Sequence, residues 1–138
     1  MAEYIFKDLI RKAGLEDRFE VSSAAVSMEE IGNDIYPPAK LKLREHGIPY
    51  AHHEAHRVTR EEYAYFDKII CADDDNTTYL SRLGYMGEKV SLMMQWAGEE
   101  RDVSDPWYTR NFEAAYQDIM ASCKAILKYY IENFKNEN

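Results

Sequence analysis

Two short apolar runs constrain the fold most strongly, because each is too short to form a buried helix. They lie at 68–72 (KIICA) and 89–94 (KVSLMM), and a helical pattern over about 75–83 separates them. Strands that are joined through a helix usually pair in parallel, since a parallel pair needs a long crossover connection. The stretch 19–26 (FEVSSAAV) is also strand-like, with small residues that allow close approach of the backbone. The sequence therefore predicts an α/β chain with a parallel sheet.

Local end signals predict the helices between and around these runs. The expected helices cover residues 2–14, 38–46, 60–65, 75–83 and the stretch that follows Asn111. Gly14 is placed to end the first helix, and Thr59 forms a capping-box pattern with Glu62 at the start of the third. Asn111 is an expected N-cap. The apolar face of the last helix is predicted to contain Phe112, Tyr116, Ile119, Cys123, Ile126, Leu127 and Tyr130.

Length and composition define the class of protein. With 138 residues, 46% of them apolar and 30% charged, the chain is expected to be one soluble globular domain over 1–138. A net charge of -8 argues against a nucleic-acid partner. No apolar run is long enough to span a bilayer, and no signal peptide opens the chain, so no membrane partner is expected. Cys71 and Cys123 lie within apolar patterns, which predicts buried, reduced thiols in a cytoplasmic protein.

The loop Asp105-Pro106-Trp107-Tyr108 is the first candidate for chemistry. Asp-Pro is a common turn starter, so an ordinary turn is one interpretation. The other is a proton donor beside an aromatic-walled cleft. Ligands of parallel α/β sheets bind outside the carboxyl ends of the strands. Three loops leave those ends here, after Val26, after Ala72 and at Asp105, and this shared location favours the chemical interpretation of Asp105.

Two polar stretches contain the residue types that bind metal ions, but neither is predicted to be a metal site. His52-His53-Glu54-Ala55-His56 lacks the His-Glu-x-x-His spacing and lies in an irregular segment. The run Asp73-Asp74-Asp75 is better explained as a solvated strand end and helix cap than as a cation site. No metal and no cofactor is expected.

Several short motifs occur in a specific order along nearly the whole chain. They are Met1-Ala2-Glu3, Ser23-Ala24-Ala25, Glu30-Ile31-Gly32-Asn33, His46-Gly47-Ile48, Asp67 to Cys71, Asp73 to Asn76 and Asp105-Pro106-Trp107-Tyr108. In this order they resemble the low-molecular-weight protein tyrosine phosphatases. The resemblance implies a phosphatase-I-like, three-layer α/β/α fold with a parallel sheet, and a phosphotyrosine protein or a small aryl phosphate as substrate.

The same resemblance assigns roles to individual residues. Asp105 resembles the family's general acid, which protonates the leaving oxygen and then activates water. Trp107 and Tyr108 resemble the aromatic walls of the substrate cleft, although surface packing beside the last helix is the alternative. Ser23 and His53 resemble residues that brace the phosphate-binding loop. Where that loop is absent, we expect them to be solvent-facing polar groups.

The family's phosphate-binding loop, Cys-x5-Arg-Ser-Pro, has no counterpart in this sequence. In the family it follows the first strand and immediately precedes the helix that here begins near Met1. Six residues beyond Cys71 stands Thr77, and six beyond Cys123 stands Tyr129, so neither cysteine fits the motif. The chain as given is therefore predicted to be catalytically inactive. The alternative function is a non-catalytic, phosphatase-like binding protein.

The resemblance also implies that an interior strand is missing. The family's first strand lies between the strands that match 19–26 and 67–72, so its loss leaves two unpaired edges. Three outcomes stay open: the sheet closes the gap, elements are exchanged with a second copy in a homo-oligomer, or the start site at Met1 was chosen too late and the chain is truncated.

Overall fold

The computed structural model describes residues 1–25, 34–105 and 110–135. Its helices are α1 (Ala2–Lys12), α2 (Pro37–Glu45), α3 (Arg60–Tyr65), α4 (Asp74–Arg82), α5 (Met93–Trp96) and α6 (Phe112–Lys135), with a 3-10 turn at Glu16–Arg18. Its strands are β1 (Ile69–Cys71) and β2 (Val90–Leu92). Within these ranges, no helix combines the length and the apolarity that crossing a bilayer requires.

The two strands pair in parallel, as the crossover pattern predicted. Ile69 lies opposite Val90, and Cys71 lies opposite Leu92. The helix α4 connects the strands and packs against both of them. On the other side, Ile70 of β1 contacts the core that α1 and α6 help to form. The expected α/β fold with a parallel sheet and helices is therefore confirmed.

The predicted strand at 19–26 is wrong for the residues that the structure describes. Residues 19–25 contribute a single parallel bridge between Ala25 and Arg57. The Ala25 N–H donates to the carbonyl of His56 at 2.6 Å, and the Val58 N–H donates to the carbonyl of Ala25 at 2.8 Å. A strand needs a partner backbone along its length. This segment has one only at its end.

The second run is also shorter than predicted, because Met93 and Met94 belong to α5 rather than to a strand over 89–94. The side-chain oxygen of Gln95 accepts a hydrogen bond from the Leu92 N–H at 3.1 Å, which satisfies a backbone donor at the helix start. Both methionines are buried. Burial explains why their apolar pattern was compatible with a strand as well as with a helix.

The predicted helix-capping and helix-terminating residues are confirmed. Thr59 Oγ1 accepts from the Glu62 N–H at 3.1 Å, and Glu62 Oε1 accepts from the Thr59 N–H at 3.0 Å, which is a complete capping box. Asn111 Oδ1 accepts from the Ala114 N–H at 3.0 Å at the start of α6. Gly14 follows α1 with a φ of +72°, in the left-handed region that favours glycine.

The core is formed mainly by α1, α2, α5 and α6. Its buried side chains are Ile5, Leu43, Ile48, Met93, Tyr116, Ile119 and Cys123. The predicted apolar face of α6 is confirmed for Tyr116, Ile119, Cys123 and Ile126. The other members of that predicted face are only partly buried. The two cysteines are free thiols and both are buried, as predicted.

A cleft of about 800 Å³ lies beside β1, and β2 contributes no residue to its lining. Residues 19–25 and residues 68–71 both line it. The helices α1, α4 and α6 contribute further lining residues. This is where the family resemblance puts the interior strand, so the described part of the sheet does not close that gap.

Candidate functional site

The loop that carries Asp105 meets the loop that leaves the carboxyl end of β1. The Val103 N–H donates to the carbonyl of Ala72 at 2.9 Å, and the Asp74 N–H donates to Asp102 Oδ1 at 3.0 Å. Asp105 follows two residues after Val103 and is exposed. Two of the three predicted loops therefore converge at the carboxyl edge of the sheet. The third, beyond Ala25, lies outside the described residues, as do Trp107 and Tyr108.

Asp118 of α6 holds the chain just ahead of Asp105. Its carboxylate accepts from the Ser104 N–H at 2.8 Å and from the Ser104 hydroxyl at 2.7 Å. Both terminal nitrogens of Arg101 also donate to it, each at 2.8 Å. The hydrogen bond from Arg101 lowers the pKa of Asp118 below its ordinary value, burial opposes this, and the bonds from Ser104 lower it further. The base of the Asp105 loop is therefore fixed by charge-assisted bonds.

Sequence reasoning missed Asp118 and Arg101 as supports of this loop. They are 17 residues apart, and no helical or strand periodicity links them. In the sequence, Asp118 stands out only as an acidic residue next to the apolar position Ile119. Such neighbours are common on amphipathic helices, so this pattern did not identify Asp118 as a support of the loop.

Ser23 and His53 do come together, at the N-terminal end of α1. The Ser23 hydroxyl donates to Glu3 Oε1 at 2.7 Å, and Ser23 Oγ lies 3.4 Å from His53 Nε2. Because Ser23 donates to Glu3, its oxygen is available to accept from an Nε2–H of His53. Both residues are half-buried, so the expectation that they face solvent as separate polar groups is wrong.

Glu3 was not recognised as a member of this cluster from the sequence. Burial raises the pKa of its carboxyl group, but hydrogen bonds from Lys7 and Ser23 outweigh burial, and the pKa is lowered overall. The Lys7 ammonium lies 2.7 Å from Glu3 Oε2. The spacing of Glu3 and Lys7 was visible as an i, i+4 pair, whereas nothing in the sequence linked Glu3 to Ser23.

Neither cysteine is an activated nucleophile. Burial raises the pKa of the Cys71 thiol to about 11, and Asp73 adds to that effect. Burial raises the pKa of Cys123 to about 12, although the N-terminal ammonium opposes this. A nucleophilic cysteine needs a lowered pKa and an accessible sulfur, and neither residue has them.

The two polar stretches with metal-binding residue types, 52–56 and 73–75, make other contacts in the structure. Asp73 Oδ1 accepts from the Asn76 N–H at 2.8 Å and caps α4. His56 Nε2 lies 2.7 Å from Glu62, and His52 Nδ1 lies 3.3 Å from Asp34. In the described part of the chain, no three His, Cys, Asp or Glu side chains are grouped so that they could hold a metal ion.

The parallel sheet, the flanking helices and the loops at its carboxyl edge define a Rossmann-like α/β protein. Among known families, the sequence model of the low molecular weight phosphotyrosine protein phosphatases matches residues 1–137. A low molecular weight phosphotyrosine protein phosphatase of Sus scrofa is 33% identical over an alignment of 135 positions, and the match covers 93% of this chain and 85% of that protein. The chain thus belongs to the low-molecular-weight phosphotyrosine protein phosphatase family.

Bacterial relatives and solved structures agree with this assignment. The low molecular weight protein-tyrosine-phosphatase YfkJ of Bacillus subtilis is 34% identical over an alignment of 131 positions, and the match covers 92% of this chain and 84% of that protein. Its crystal structure superimposes with a TM-score of 0.88 at 31% identity, covering 96% of this chain and 86% of that one. The crystal structure of Primo-1 gives a TM-score of 0.79 at 33% identity, over 92% and 86% of the two chains.

Proposed function

We propose that this chain is a phosphotyrosine phosphatase domain that retains the general-acid side of the site and lacks the nucleophile. Asp105 would act as the general acid, with Trp107 and Tyr108 as walls of a cleft for a phosphotyrosine protein or a small aryl phosphate. Ser23 and His53 would have braced the phosphate-binding loop. The support is family membership over 1–137 and the position of Asp105 beside the carboxyl end of β1.

The properties of the two cysteines support the proposal that the chain as given does not hydrolyse phosphate monoesters. Phosphoryl transfer in this family passes through a cysteinyl phosphate, which needs a thiolate and an arginine fork around the phosphate. The sequence holds two cysteines, and neither has an arginine six residues later. Both thiols are buried, and their pKa values of about 11 and about 12 keep them protonated at neutral pH.

A turnover assay tests this proposal. The purified chain should hydrolyse p-nitrophenyl phosphate and a phosphotyrosine peptide no faster than a Cys71→Ser, Cys123→Ser double variant. Turnover by the chain that Asp105→Asn abolishes would show that a nucleophile is present after all, and would overturn the proposal.

A gain-of-function experiment tests the role of Asp105 separately. A family strand followed by Cys-x5-Arg-Ser-Pro is fused ahead of Met1, so that the loop leads directly into α1. We expect aryl phosphate turnover from the fusion, a loss of about 10²–10⁴-fold with Asp105→Asn, and little change with Glu100→Gln, which alters an exposed carboxylate ahead of the same loop. An equally active Asp105→Asn fusion would remove the proposed general acid. The DNA upstream of the Met1 codon shows whether such a segment occurs naturally.

The second candidate is a binding protein without catalysis, and the retained Trp107–Tyr108 pair favours it. Calorimetry with a phosphotyrosine peptide would show affinity without turnover, and Trp107→Ala should remove that affinity. The absence of any measurable heat of binding would exclude this candidate.

For either candidate, we propose that residues 1–138 form one domain and that the protein is cytoplasmic. Two buried, unpaired thiols are consistent with a reducing compartment.

A further inference from the structure

His46 lies where the end of α2 meets the start of α6. It is the C-cap residue of α2, and its imidazole ring stacks face to face on the ring of Tyr116. The two ring centres are 3.8 Å apart, and the planes are 8° from parallel. His46 Nε2 also lies 3.2 Å from Glu113 Oε2. Glu113 and Tyr116 are three residues apart on α6, so one side chain from α2 contacts a single face of that helix.

The two partners of His46 keep one charge state near neutral pH. The hydrogen bond from Gln117 lowers the pKa of Glu113, the bond from His46 lowers it further, and burial opposes them, which leaves a pKa of about 2. Burial raises the pKa of Tyr116, so its phenol stays neutral. Histidine is the residue type whose charge ordinarily changes between pH 5 and 8. A change of charge within this group of contacts therefore comes from His46.

A proton on His46 strengthens its contacts with both helices. An imidazolium donates a charge-assisted hydrogen bond to a carboxylate, which is about twice as strong as the bond from a neutral ring. Over the face of Tyr116, the charged ring is also a cation beside an aromatic quadrupole. At the C-terminal end of α2, the helix dipole favours positive charge. All three effects have the same sign.

Lys42 is the neighbouring group that opposes a charged His46. Its ammonium lies 3.2 Å from the same oxygen of Glu113. It also lies 2.9 Å from Glu45 Oε2, and this second carboxylate offsets part of its charge. The side chains of His46 and Glu113 are 30% and 41% exposed, so solvent screens both the attraction and the repulsion. The expected effect of the proton is therefore moderate.

The charges that lie beyond this group have partners of their own. On α2, Arg44 donates to the Tyr50 hydroxyl at 2.7 Å. On α1, the Asp8 carboxylate adds to the raised pKa of Tyr116, and it is paired with Lys12 at 2.9 Å. These two contacts contain no histidine, so they do not supply a change of charge near neutral pH.

The contact of His46 with Glu113 fixes the end of the Asp105 loop. Glu113 lies in the first turn of α6, which begins directly after residues 105–111. Ahead of the loop, Ser104 is held by the carboxylate of Asp118. The loop is therefore anchored to α6 ahead of Asp105 and to α2 behind it, and the anchor to α2 is the one that includes a histidine.

We propose that His46 is a proton-dependent clamp between α2 and the start of α6. In its protonated form it holds the first turn of α6 against α2, and with it the C-terminal end of the Asp105 loop. Loss of the proton weakens this anchor. The clamp is a property of the fold, so it goes beyond the proposed phosphatase function and needs no nucleophile.

A double-mutant cycle at two pH values tests the pair directly. His46→Gln and Glu113→Gln each keep a hydrogen-bonding group and remove the ionisable one. Urea denaturation of the four chains gives the factor by which the two side chains together favour folding beyond their separate effects. We expect this factor to be about threefold larger at about pH 5.5 than at about pH 8. Equal factors at the two pH values would overturn the proposal.

Glu99 and Arg101 provide a matched control pair. Arg101 Nη2 lies 3.0 Å from Glu99 Oε2, at a similar exposure, and a carboxylate and a guanidinium keep their charges over this pH range. The cycle built from Glu99→Gln and Arg101→Gln should give the same factor at both pH values. A control factor that changes as much as the factor for His46 would show that the effect belongs to the whole fold, and would also overturn the proposal.

Amide hydrogen exchange in the parent chain locates the effect, and it remains decisive if a variant fails to fold. At the start of α6 the Ala114 N–H donates to Asn111 Oδ1, and at the start of α4 the Asn76 N–H donates to Asp73 Oδ1. Between about pH 5.5 and about pH 8, protection corrected for intrinsic exchange should fall at least about twofold at Ala114 and stay constant at Asn76. His46→Gln should remove this change. Protection at Ala114 that is constant, or that falls equally at Asn76, would contradict the clamp.

Discussion

The two edges of β1 have different surroundings. On one edge, β2 forms a ladder of three residue pairs, and α4 packs over both strands. On the other edge lies a cleft, and the chain beyond it makes a single bridge at Ala25. Both neighbouring stretches had strand-like sequences. The difference shows that a short strand exists here because a partner backbone is present beside it, whereas the helices on either side of the cleft form regardless.

The largest contrast is expected between core side chains and those beside the cleft. Leu43→Ala removes a side chain with 0% exposure from the packed core and should cost about 2–5 kcal/mol of unfolding free energy. Val21→Ala shortens a half-buried side chain that borders open space, and should cost about 1 kcal/mol or less. Urea denaturation measures both. Equal losses would mean that the cleft closes around Val21 in solution.

Substitution of Asp118 tests how much its hydrogen bonds at the base of the Asp105 loop stabilise the fold. Asp118→Ala leaves Ser104 and Arg101 without their shared acceptor and should cost about 1–3 kcal/mol at pH 7. Glu132→Ala, which removes an exposed carboxylate from the same helix, is the matched control and should change stability by no more than about 0.5 kcal/mol.

The pH dependence of the free energy of unfolding tests whether Asp118 stabilises the fold as a carboxylate. Its pKa in the folded chain is lowered from 3.8, so the unfolded chain binds the proton first as pH falls. The stabilisation is therefore complete well above pH 3.8 and is lost as pH falls below it toward the folded pKa. The stability gap between the parent chain and Asp118→Ala should narrow between pH 5 and about pH 3. A gap that widens on acidification would contradict the assigned charge state.

The smallest effect is expected for a local cap beside the bridge at Arg57. Thr59→Ala removes the side chain that accepts from the Glu62 N–H, and should cost about 1 kcal/mol. Thr77→Ala is the control, because that hydroxyl bonds within its own helix, to the Asp74 carbonyl, and caps no end. Thermal unfolding should rank Thr59→Ala below Thr77→Ala in stability. The reverse order would show that α3 depends on packing rather than on its capping box.

Sequence reasoning succeeded where a structure depends on residues that are close along the chain. Thr59 with Glu62, and Asn111 with Ala114, are three residues apart, and both pairs form as expected. It was wrong for 19–25, since the partner of a strand is not encoded in the strand itself. It was also wrong for Met93 and Met94, because a buried apolar pair satisfies a helix and a strand equally well.

The candidate site divides in the same way. The position of Asp105 near the carboxyl end of β1 was predictable from the order of strands and loops. The Asp118 support and the Glu3–Ser23–His53 cluster were not, because their hydrogen bonds join residues between 14 and 30 positions apart. The family resemblance indicated roles for Ser23 and His53, but it did not indicate that Glu3 accepts a hydrogen bond from Ser23.

The sequence by itself determined the helix ends, the parallel pairing across α4, the family and the lack of a Cys-x5-Arg motif, since all of these lie in residue order and spacing. Only the tertiary structure decided that residues 19–25 form no strand, that Asp118 holds the base of the Asp105 loop, and that an apolar cleft lies beside β1. Burial and strand pairing depend on what lies across space from a residue, and no local pattern specifies that neighbour.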